Sequence, residues 1–173
     1  MNAREAIKQS MDMPETIWKS YLNDLSDEDL LVRPVDGANH IAWQLGHLIS
    51  SEHSLMEAVC PGSMPPLPDG FAEKYTSDTS GSDDPDEFLG KEEYIELAES
   101  QRTGTLAALA KLSDDDLDAP SPESLQMLGP TVLQRNIPAT HPARMIRMIS
   151  SARRTTSNWL RVSGRGHSRR LRH

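Results

Sequence analysis

The chain has 173 residues, 36% of them hydrophobic and 25% charged, a formal net charge of -8 and a single cysteine, Cys60. That length suits one globular domain burying roughly two-thirds of its unfolded surface, and a lone cysteine excludes an internal disulfide framework and fits a reducing cytoplasm. The charge is sharply divided: all 26 acidic residues stand at or before Glu123, against 5 Lys and 3 Arg there (a net of -18), while residues 124–173 hold 10 Arg, no Lys and no acid.

Residues 2–25, "NAREAIKQSMDMPETIWKSYLNDL", predict a first helix. Ile7, Met11, Ile17, Trp18, Tyr21, Leu22 and Leu25 recur at spacings of three and four and form one apolar stripe. Pro14 is expected to kink this helix or split off its first turns. No apolar h-region opens the chain and no run approaches the ~18 residues of a membrane span, so a cytoplasmic protein is expected. In "LSDEDLLVRPVDGANH", Ser26 with Asp29 three residues on reads as an N-cap before one short turn.

A second helix is predicted over 38–59, capped by Asn39 and stopped by Cys60-Pro61-Gly62. Residues 61–88 are rich in Pro, Gly, Ser and Asp without apolar period and predict a long loop, of the length that usually serves function. A third helix is expected over 91–111, burying Tyr94, Ile95, Leu97, Ala98, Leu106, Leu109 and Leu112. "LSDDDL" at 112–117 then echoes "LSDEDL" at 25–30; two short echoes are thin support for an internal repeat. A fourth helix has to come from Met127 onward, where Pro138 and Pro142 intervene and only Met145, Ile146, Met148, Ile149, Trp159 and Leu160 offer apolar material. With no alternating runs, the fold class is an all-α four-helix bundle.

The second helix concentrates three of the six histidines in "NHIAWQLGHLISSEH". At about 100° per residue, His40 and His47 fall within about 20° of each other beside Trp43. His53 points well away, near Glu52 and Glu57, and reads as a solvent residue. Gly46 would let another helix backbone approach, at a cost near 1 kcal/mol relative to Ala. An inward histidine can be a hydrogen-bonded core residue or a metal ligand, and spacing alone favours the core role. Glu52 lies on another face and does not serve as a general base for that group. No Ser or Cys sits in an activating context, and Cys60 reads as part of a helix stop.

The segment "NHIAWQLGHLISSE", led by "LSDEDLLVRPVDGANH", closely resembles the second-helix motif of the DinB-like four-helix-bundle superfamily, a family distinct from the DNA polymerase of similar name. The resemblance covers roughly residues 1–130 and is most specific at Trp43-x-x-Gly46-His47. It implies a small, usually bacterial, homodimeric protein that binds a divalent metal (Zn, Ni or Fe) through three histidines. One lies in this motif and two in a His-x-x-x-His pair on the last helix. It further implies a small thiol or other small-molecule substrate: some members are S-transferases using bacillithiol, mycothiol or glutathione, others are classed as metal-dependent hydrolases, and many have no known activity.

Carried onto this chain, the resemblance places His47 as the first ligand and His141 as the second, but Met145 stands where the third is expected. A thioether is a poor replacement for imidazole with these metals. The departure coincides with the charge boundary. Three readings stay open beyond about residue 132: a divergent helix with a basic tail, an Arg-rich segment binding nucleic acid or another acidic partner with Trp159 stacking on a base, or translation from a shifted frame. The expected organisation is a bundle domain over 1–160 and a basic tail over 161–173. If the metal site is incomplete, the alternative is a metal-free bundle serving as an interaction or structural module.

Overall fold

A computed structural model describes residues 3–123 together with 126, 129, 131 and 132. The described residues are helical, with five α-helices, α1 (Ala3–Leu22), α2 (Asp27–Leu30), α3 (Ile41–Val59), α4 (Lys91–Lys111) and α5 (Asp114–Asp118). The one β feature among them is an isolated antiparallel bridge between Pro120 and Thr131. None of the described helices is long and apolar enough to cross a membrane. The fold is all-α as expected, with three long helices, α1, α3 and α4, among the described residues. The predicted fourth helix, the basic tail, His141, Met145 and the boundary at residue 160 lie outside them.

The stripe on α1 does what its spacing predicts: Ile7, Met11, Trp18 and Leu22 are buried. The helix runs through Pro14 without splitting and ends three residues earlier than expected, at Leu22. Cross-helix bonds give the directions. Lys19 meets Glu99 at 2.7 Å and Arg4 donates to the Leu112 carbonyl at 2.9 Å, so α1 and α4 are antiparallel. Thr105 bonds Glu52, and His53 bonds Gln101, so α3 and α4 are antiparallel as well.

Both Leu-Ser-Asp-acid-Asp-Leu stretches form the same device. Ser26 and Asp29 close a capping box on α2, and Ser113 and Asp116 close one on α5, each satisfying two amides that a helix start leaves open. Each turn buries a leucine, Leu30 and Leu117, both 1% exposed. Asp27 also reaches across the fold, accepting from the Lys91 amide at 2.7 Å to cap α4.

The core is two apolar clusters stacked along the bundle. One gathers Trp18, Leu22, Leu30, Trp43, Ile49 and Tyr94 around the start of α3. The other gathers Ile7, Met11, Met56, Leu109, Leu117 and Val132 around its end. Between them lies a polar level that apolar periodicity could not reveal: Ser50, Gln101 and Thr105 are buried, with Glu15, Glu52 and Arg102 at its margin.

Residues 61–88 are more ordered than their composition predicts. Three short 3-10 turns, Ala72–Tyr75, Ser77–Thr79 and Pro85–Glu87, shape them into a strap, and Met64, Phe71 and Tyr75 enter the core. Two glycines receive this strap. A Cβ on Gly46 would run into the Tyr75 ring, and one on Gly104 into the Pro65 ring. Gly46 therefore admits an aromatic ring from the strap, not the helix backbone that its position suggested.

Candidate functional site

His40, His47 and His53 occupy three different environments, and each can be read from its partners. His40 is the N-cap of α3, in extended conformation, not a residue of its first turn. The helix thus begins at Ile41, and Asn39 is not the cap. Its Nδ1 accepts from the Trp43 amide at 3.1 Å, so the ring proton sits on Nε2, which donates to the Ser82 carbonyl at 3.1 Å. Both nitrogens are used and the ring is fully buried. Burial, with the Arg33 charge nearby, holds its pKa below the ordinary value. His40 is a neutral structural residue, as its core reading implied, although not on the helical face shared with His47.

His47 is built differently. Its Nδ1 lies 3.2 Å from the Tyr75 carbonyl. A carbonyl only accepts, so Nδ1 carries the proton and the neutral ring keeps a lone pair on Nε2. The ring stacks on the Trp43 indole, centroids 4.9 Å apart and planes within 9°, and is only partly buried. A backbone carbonyl on one nitrogen and a lone pair on the other is how proteins hold a metal-ligating imidazole. Trp43 Nε1 is itself buried and has no hydrogen-bond partner among the described residues.

His53 is not the solvent residue its spacing suggested. Its Nδ1 lies 3.0 Å from Gln101 Oε1. The Gln101 amide nitrogen donates to the Pro65 carbonyl at 3.0 Å, which fixes the amide with its oxygen toward the ring, so His53 also donates from Nδ1. Glu52, on the neighbouring face, accepts from the Thr105 hydroxyl at 2.8 Å and pairs with Arg102 at 3.3 Å. Burial pushes its pKa up, with Arg102 and Thr105 opposing and Glu15 adding to the rise. It belongs to the polar level, with Thr105 and Arg102 as its partners. No sequence signal pointed to Gln101 or Thr105, because a buried polar residue on α4 breaks the apolar period by which its face was read.

The strap that supplies the Tyr75 carbonyl is fastened along its length. Glu57 accepts from the amides of Gly62 and Met64 at 2.7 and 2.8 Å. Tyr75 places its hydroxyl 2.7 Å from that of Tyr94. Arg33 donates to the carbonyls of Ser80 and Ser82, each at 3.0 Å, to the Ala38 carbonyl at 2.8 Å, and to Asp83 at 2.7 Å. Arg33, in the segment preceding α3, is thus a clamp on the strap.

Set against a divalent metal, the described residues fit it at one position. His47 presents Nε2, the nitrogen that the Tyr75 carbonyl does not occupy. Among the described residues no group of three His, Cys, Asp or Glu side chains could hold a metal ion, and the second expected ligand, His141, lies outside them. A family model described as the DinB superfamily matches residues 15–141 of the chain, so the matched portion contains His47 and ends at His141. No curated protein and no solved structure matches the chain.

Proposed function

Because the chain belongs to the DinB superfamily, we propose that it is a divalent-metal-binding bundle built on His47, acting on a small thiol or another small molecule as a thiol-dependent S-transferase or a metal-dependent hydrolase. One observation carries this reading. The Tyr75 carbonyl commits the His47 proton to Nδ1 and leaves Nε2 as a donor atom. The indole N–H of Trp43, without a partner among the described residues and on the ring stacked against His47, adds a hydrogen-bond donor to the same locality.

In this reading His47 and His141 hold the metal, which is Zn, Ni or Fe. The bound ion supplies Lewis acidity, or lowers the pKa of a thiol or water so that it reacts as a nucleophile near neutral pH. The chain's own residues do the rest. His47 is oriented by the strap, Trp43 packs its face and excludes water from it, and the Arg33 clamp keeps the strap in place. A homodimer in the cytoplasm accords with the family and with the single cysteine.

A second reading is favoured by one specific residue. Met145 stands where the family's second C-terminal histidine is expected, and a site with only two imidazoles leaves a metal-free bundle acting as an interaction module. Elemental analysis of the purified protein beside its His47→Ala variant decides between the two. Near-stoichiometric Zn, Ni or Fe that disappears in the variant is the expected result. Absence of metal from protein refolded with added zinc would refute the enzyme reading.

A further inference from the structure

We propose that Tyr75 is the positioning residue for His47, presenting the carbonyl that sets its tautomer, and that Gly46 exists to seat the Tyr75 ring that holds this carbonyl in place. Three contacts converge on the one strap residue. Its carbonyl accepts the hydrogen bond from His47 Nδ1–H. Its ring lies where any side chain at position 46 would have to be, one residue before His47. Its hydroxyl meets that of Tyr94, which also accepts from the Leu89 amide at 3.3 Å, at the junction of strap and α4. Phe71 and Phe88 flank the ring at 4.7 and 6.3 Å.

The arrangement couples two things that sequence keeps far apart. An imidazole side chain left to itself prefers its proton on Nε2, and a ligand that binds through Nε2 needs it on Nδ1. A fixed acceptor at Nδ1 resolves this before any metal arrives. A carbonyl on a free loop would wander; this one is pinned by a ring wedged between helices and by a buried hydroxyl pair. Burial pushes both phenols above their ordinary pKa, so the pair stays neutral and bonded through the working pH range.

The metal consequence rests on the reading of His47 as a ligand; the tautomer consequence does not. The test follows the ring nitrogens of His47 by NMR in isotope-labelled full-length protein at about pH 8.5, well above the ordinary histidine pKa. The native chain shows the Nδ1–H form. Gly46→Ala and Tyr75→Ala move the ring toward the Nε2–H form and weaken zinc binding, measured by competition with a chromophoric chelator, by about ten- to a hundredfold. A native ring found as Nε2–H, or a ring still Nδ1–H in Tyr75→Ala, overturns the proposal. Tyr75→Ala decides if Gly46→Ala does not fold. A native chain that binds no zinc but shows the tautomer shift removes the metal reading and leaves the positioning role standing.

Discussion

The two halves of α3 handle polar side chains in opposite ways. Under the strap, His40 and His47 donate to backbone carbonyls of a loop, at Ser82 and Tyr75. One to two turns further on, Glu52 and His53 meet side chains of α4, Thr105, Arg102 and Gln101. A carbonyl is an acceptor only, held by its own chain, so it dictates both the place and the tautomer of the ring that faces it. Side chains at the polar level must themselves be held: the Arg102 guanidinium lies between Glu52 at 3.3 Å and Glu15 at 3.8 Å. The strapped half is therefore tied directly to backbone acceptors, and the polar level to side chains that are positioned in turn, as Gln101 is by the Pro65 carbonyl.

Removing His40 should break that contrast most severely. His40→Ala opens a cavity, unpairs the buried Trp43 amide and leaves the Ser82 carbonyl to Arg33 alone, a loss of about 3 kcal/mol read as a fall in the urea midpoint. The pH dependence has a definite sign. Burial holds His40 below its ordinary 6.5, so its contribution is complete above about pH 6.5 and is lost as the pH falls through the depressed folded value. The variant lacks that acid-side decline, and a wild-type-like decline in His40→Ala would assign it elsewhere.

Arg33→Ala comes next, at about 2 kcal/mol, because one guanidinium serves three carbonyls and a carboxylate. Hydrogen exchange locates the effect: the amides around Ser80–Asp83 lose protection while those in the middle of α4 keep theirs. Equal loss in both would mean that strap and bundle unfold as one unit.

The polar level gives the smallest change, and of opposite sign. Glu52 is pushed up by burial, so its contribution is fullest below about pH 4.5 and declines as the pH rises through the raised folded value. Glu52→Gln supplies the neutral form permanently, keeps an acceptor for Thr105 and leaves Arg102 to Glu15. It stabilises the protein at neutral pH by under about 1 kcal/mol, and a clear loss of thermal stability would show that the ion pair outweighs its desolvation.

What could be read from the sequence follows the same division. α4 is found at Lys91–Lys111 as predicted, and Ser26-Asp29 closes the box its spacing implied, because apolar period and caps are local chemistry. His40 was misplaced because Asn is ordinarily the better cap; a carbonyl 42 residues away, on Ser82, settles the contest. The strap was hidden because its anchors, Met64, Phe71 and Tyr75, follow no period. Gly46 was correctly marked as a close approach, but which group approaches is a tertiary fact. His53 was sent to solvent because its partner, Gln101, looks like a surface residue in any pattern built from hydrophobicity.

The twin capped turns have a consequence for how this chain can change its length. Leu30 closes the cluster at one end of the bundle and Leu117 the cluster at the other, so the pair works as a gauge spanning the helices between them. Adding or deleting one residue inside α4 would rotate everything after it by about 100° and pull the Leu117 plug from its socket while leaving Leu30 seated. Growth and shrinkage are then confined to stretches outside the helices, such as the exposed strap residues 68–70, where extra residues alter no helix phase.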